Sequence, residues 1–152
     1  MNTATSIQTL ESDELDYIML NFAKRGDSNF FCSAGKKSDG TVRIDITIKG
    51  YEEYYPHGSY QFFGSCTDFP FKELQSIVRK YDVPSWNGWD KSAENYNECE
   101  WFQIEFGYES EENICAMGTL YPNDYENVQA ELLSVVVNFI ERYNDSFIPW
   151  KG

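Results

Sequence analysis

FFCSAGKKSDGTVRIDITIKG, residues 30–50, decides how the chain folds. Within it Val42, Ile44, Ile46 and Ile48 alternate with Arg43, Asp45 and Thr47, a period of two that places four β-branched side chains on one face of a strand and polar ones on the other. The KKSDG segment contains an Asp-Gly pair of the kind that closes hairpins, so FFCSAG is the partner strand. One buried face and one wet face mark an antiparallel sheet, because strands of a parallel sheet are covered on both sides.

On the N-terminal side, ELDYIMLNFAKRG (14–26) reads two ways. Leu15, Ile18, Met19 and Phe22 fall at helical spacing with Lys24, Arg25 and Gly26 as end signals. Ile18, Leu20 and Phe22 also alternate with Tyr17, Met19 and Asn21, as in a strand covered on both faces. The hairpin needs a further pairing partner, which favours the strand. Residues 1–13 are polar and aperiodic, a loose lead-in.

On the C-terminal side, SYQFFGSCT (59–67) predicts another strand, with Gly64 marking a bulge or a close approach. The period then changes. DFPFKELQSIVRKYDVP (68–84) carries Pro70 where a first helical turn accepts it, then Phe71, Leu74, Ile77, Val78 and Tyr81 on one face. CEWFQIEFGY (99–108) and NICAMGTL (113–120) predict a second hairpin, and YPNDYENVQAELLSVVVNFIERY (121–143) a long helix burying Val128, Leu132, Val135, Val136, Phe139, Ile140 and Tyr143. The order implies one α+β domain: an antiparallel sheet of about five to six strands with two helices packed on one face. The polar segment 90–98 is the candidate mobile loop.

The 152 residues include 25 Asp and Glu against 12 Lys and Arg, a net charge of −13. Such a field repels phosphate backbones and anionic membranes, so neither nucleic acid nor a membrane is an expected partner. The first twenty residues lack a basic n-region and an apolar stretch, and LLSVVVNFI is far too short to span a bilayer. A cytoplasmic location is the expectation. Cys32, Cys66, Cys99 and Cys115 form no C-x-x-C pair and lie in candidate strands, as reduced, buried thiols would.

No phosphate-cradling glycine loop, dinucleotide fingerprint or nucleophile elbow is present, and no cofactor is expected. His57, alone of its kind, follows Glu52 and Glu53 in YEEYYPHG without a nucleophile or metal-ligand spacing, which makes it a solvated loop residue. Acidic pairs such as Glu98 and Glu100 arise readily in so acidic a chain; a small hydrolase would use Glu100 or Glu105. The candidate binding residues are aromatic. Trp86 and Trp89 flank an Asn-Gly turn at the helix-to-strand junction, where each, if buried, contributes up to about 4–6 kcal/mol. Exposed, they would form a stacking platform with Tyr96 and Asp90, and Tyr54 and Tyr55 make a second aromatic cluster.

With W-N-G-W at 86–89, E-W-F-Q-I-E-F at 100–106, A-M-G at 116–118 and Y-P-N-D-Y at 121–125, the C-terminal half resembles a group of uncharacterised small bacterial proteins. In that group a helix, a Trp-x-Gly-aromatic turn, a hairpin and a Tyr-Pro-led final helix follow in this order. The likeness covers residues 70–143, implies a bacterial origin and this architecture, and carries no activity. The expected function is a non-catalytic module, monomer or homodimer, binding a protein or small ligand through aromatic and acidic surface. The alternative is an acidic immunity-type inhibitor of a basic toxin or nuclease.

Overall fold

The structure, a computed structural model, describes residues 14–24, 28–93 and 100–142. The lead-in 1–13, most of the polar loop, Tyr96, Cys99 and Tyr143 lie outside these residues. Strands β1 (Leu15–Ala23), β2 (Asn29–Lys36), β3 (Val42–Lys49) and β4 (Tyr60–Cys66) are followed by helix α1 (Phe71–Lys80) and a 3-10 turn (Val83–Trp86). Then come β5 (Trp89–Lys91), β6 (Trp101–Tyr108), β7 (Asn113–Gly118) and helix α2 (Tyr125–Arg142). The α+β class read from the sequence holds. The sheet is wider and mixed: seven strands in the order β4-β3-β2-β1-β6-β7-β5.

The meander β1 to β4 and the hairpin β6–β7 meet at β1, which pairs antiparallel with both β2 and β6. That position resolves the double reading of the segment over Leu15–Ala23. A strand in mid-sheet keeps apolar side chains on both faces, and a bulge between Leu15 and Tyr17 sets Leu15 and Ile18 both inward. An i, i+3 inward pair is what imitated a helix. Beside the bulge the Leu15 N–H donates to Gln75 Oε1 of α1 at 3.1 Å, so a backbone donor at the irregularity stays satisfied.

Registry lines up the inner side chains in rows. One row runs Phe62, Ile46, Cys32, Leu20, Ile104, Ala116, and the next Tyr60, Ile48, Phe30, Phe22, Phe102. All are buried, and both helices cover this face. From α1, Leu74, Ile77 and Val78 point in; from α2, Val128, Leu132, Val136, Phe139 and Ile140. The Phe139 ring meets Phe69 edge-on at 5.1 Å. At Gly64 the register is unbroken, and the reason for glycine is close approach: a Cβ there would stand 2.6 Å from the Phe62 ring.

The expectation of an all-antiparallel sheet of five to six strands fails at β5. Trp89, Asp90 and Lys91 pair parallel with Ala116, Met117 and Gly118, so the second tryptophan lies on a strand. Three residues are too few to show a period, and the pairing is fixed from the partner side. The Thr119 and Leu120 N–H groups both donate to the Lys91 carbonyl at 3.1 Å, and Gly118, at φ 142°, admits that carbonyl where a side chain would stand. The cysteine expectation also needs correcting. Cys32 is buried, its thiol pushed above the ordinary range by burial and then by Asp45, but Cys66 is half-buried and Cys115 exposed. Ile114 and Ala116 face inward, so alternation turns Cys115 out.

Candidate binding surface

The aromatic residues singled out from the sequence divide between the core and its rim. Trp86 is 5% exposed and its ring lies tilted against Tyr125 at 6.3 Å, closing the junction between the 3-10 turn, β7 and the start of α2. Trp89 is half-buried; its Nε1–H donates to the Leu120 carbonyl at 2.9 Å, and the Lys91 ammonium sits 4.3 Å from its ring centroid. Tyr55 is buried edge-on to Tyr60, and half-buried Tyr54 lies against Tyr51. Trp86 and Trp89 therefore face different surroundings and do not form one platform.

Tyr125 is the centre of the inner cluster, stacked on Tyr121 at 4.4 Å and packed on Phe102 at 4.8 Å. Burial pushes its phenol well above the usual range, and the neighbouring Tyr121, Tyr51 and Glu100 add to the shift. A phenol so placed stays protonated and serves packing. His57 is exposed, its Nε2 3.7 Å from Glu141 Oε1. Glu100 lies near Tyr51 and Tyr125 on the helix side, whereas Glu105 lies near Tyr17 and Cys115 on the other. Glu100 and Glu105, the alternatives for one carboxylate of a hydrolase, thus occupy opposite faces of the sheet. Among the described residues no group of three or more His, Cys, Asp or Glu could hold a metal ion.

The other face of the sheet carries Phe63, the most exposed large apolar side chain among the described residues, and no described helix packs on it. Its rows follow from the same registry. Ser65, Arg43, Gly35, Tyr17, Gly107 and Asn113 form one; Phe63, Asp45, Ser33, Met19, Glu105 and Cys115 the next; Gln61, Thr47, Phe31, Asn21, Gln103, Met117 and Asp90 a third. Tyr17 stands between two glycines, with its side chain 3.4 Å from a Cβ position at Gly35 and 3.2 Å from one at Gly107. Glycine on both neighbouring strands lets the ring lie flat across the sheet, shielding backbone that two small residues leave open. Burial, with Glu105 next, raises its phenol above the ordinary value.

Phe63 is 55% exposed on this face, and the Arg43 guanidinium lies 4.8 Å from its ring centroid. Half-buried Met19, Phe31, Trp101 and Met117 complete an apolar set interleaved with Asp45, Glu105 and Asp90. Sequence reasoning missed the surface because it looked for clusters adjacent in sequence. The signal was present in the outward-phase residues of each strand, where Phe31 and Phe63 take positions that an open sheet face normally gives to polar side chains.

Two hollows are notable. One of about 410 Å³ lies between the β2–β3 turn and the start of α1, lined by charges of both signs, among them Lys36, Lys72, Glu14 and Glu73. The other, about 290 Å³, lies on the open face where β5, β7 and β6 meet. No helix among the described residues is long and apolar enough to cross a membrane. No protein-family model matches the chain, and no curated protein matches its sequence.

Proposed function

We propose that the protein is a non-catalytic cytoplasmic binding module that receives a basic protein partner on the open face of its sheet. The observation that carries this reading is Phe63, 55% exposed and stacked with Arg43, amid half-buried Tyr17, Met19, Phe31 and Met117 on a face seven strands wide. A single exposed apolar residue is ordinary; five aromatic and methionine side chains sharing one strand surface with polar and charged neighbours match the composition of interfaces. Rigid β-structure presents them at little entropic cost on binding.

The net charge of −13 supports a cationic partner, through faster encounter and discrimination against acidic competitors. An acidic inhibitor of immunity type, masking a basic toxin or nuclease, is the form of this reading that the charge favours. The test is capture from native lysate by the immobilised protein and by its Phe63→Ala variant, at low and at high salt. The reading requires basic proteins that wild type retains, that high salt releases as the Debye length falls from about 10 Å to about 3 Å, and that the variant retains poorly. Retention indifferent to both salt and Phe63 would refute it.

A further inference from the structure

The hollow on the open face is built by three strands at once. The Gly88 N–H donates to the Cys115 carbonyl at 2.9 Å, and the Cys115 N–H donates to Asn87 Oδ1 at 2.9 Å, so the approach to β5 is tied to β7. Asp90 and Gln103 flank Met117 in one row, and Glu105 sits beside Cys115 in the next. Two strand spacings and one same-face step separate the Cα atoms of Asp90 and Glu105 by about 12 Å, with Met117 and Cys115 between them. Trp89 borders it, in register with Ala116 and with its ring packed against the helix-side core.

Among the described residues Asp90 and Glu105 are the only charged side chains lining this groove, and neither takes part in an ion pair. The basic side chains of the face, Arg43 and Lys49, lie on β3, across β1 and β2 from this corner. An anion would be repelled by both carboxylates, and an apolar group would strip them of water with nothing in return. A cation on an alkyl stem satisfies every wall. Its stem packs on the Met117 thioether, which adapts to irregular shapes, and its head pairs with the carboxylates.

We infer that this groove receives a single arginine or lysine side chain of the basic partner, held between Asp90 and Glu105 over Met117. The inference rests on the open face being the binding surface. The probe is a tri-arginine peptide amide, titrated into isotope-labelled protein at low salt with tri-glutamate as control, and read by backbone amide shifts. Expected are saturating shifts at Asp90, Glu105, Cys115 and Met117, at least fivefold weaker binding in the Asp90→Asn/Glu105→Gln variant, and unchanged binding in Glu109→Gln/Glu112→Gln, which removes equal charge from the β6–β7 turn. Shifts centred on Asp45 and Phe63, or equal affinity in both double variants, would overturn the groove while leaving the open face as the binding surface. Shifts absent from the open face altogether would overturn both.

Discussion

Gly118→Ala should destabilise the protein by about 3–5 kcal/mol, and the size follows from what surrounds the glycine. At φ 142° a Cβ would stand 2.0 Å from the carbonyl oxygen of Lys91, 2.9 Å from its carbon and 3.1 Å from its nitrogen. All three are backbone atoms, so no side chain can swing aside, and β5 must lift from β7. That movement breaks the bonds from the Thr119 and Leu120 N–H groups to Lys91, about 1 kcal/mol each net, and adds backbone strain of about 1–3 kcal/mol. Gly40→Ala is the matched control. Gly40 has φ 88° with nothing within 4 Å of a Cβ, so only the conformational cost of about 1–2 kcal/mol applies. Urea unfolding followed by tryptophan fluorescence reads both variants, and amide exchange at Thr119 and Leu120 reports whether the loss is local to β5. Equal stability of the two variants would refute the clamp, and with it the parallel seventh strand that forms one wall of the groove.

Further outcomes follow from the core. Trp86→Ala removes a ring that is 5% exposed and packed on Tyr125; a loss of about 3–5 kcal/mol in chemical denaturation is expected, and an unchanged midpoint would return Trp86 to the list of ligand contacts. Gln75→Leu keeps the volume of a residue 4% exposed but leaves the Leu15 N–H without its acceptor, costing about 1–3 kcal/mol, measurable in the same assay. Burial raises Tyr51, Tyr60 and Tyr125 above the ordinary phenol value. Their protons are held longer by the folded than the unfolded chain, so their share of stability is complete below about pH 10 and is lost as pH climbs past it. In an ultraviolet titration, part of the phenolate signal should appear only with alkaline unfolding; ionisation of every tyrosine near the ordinary value with the fold intact would contradict this burial.

How much of this was legible beforehand depended on how far each element's stability is local. The β2–β3 hairpin and both helices announce themselves because a period of two or of 3.6 repeats over at least two turns of pattern. β1 was ambiguous for a physical reason: a central strand is apolar on both faces, and the bulge at its start places Leu15 and Ile18 at helical spacing. β5 was invisible, since its three residues owe their conformation to Gly118, Thr119 and Leu120, some thirty positions away. The site behaved likewise. Trp86 and Trp89 are neighbours in sequence, yet the first is core and the second, in register with Ala116, lies at the rim of the same helix-side face. The open-face set, Tyr17, Phe31, Phe63 and Met117, is gathered from four strands whose order only the sheet reveals.

The central claim is that the partner covers the open face and leaves the helix side free. Hydroxyl-radical footprinting of the captured complex tests it side chain by side chain, because Phe63, Met19 and Met117 mark the sheet while Leu120 and Tyr121, also exposed, mark the end of β7 and the start of α2. Binding should slow oxidation at Phe63, Met19 and Met117 and leave Leu120 and Tyr121 unchanged. Protection confined to Leu120, Tyr121 and the outer face of α2, with Phe63 still fully reactive, would contradict the account.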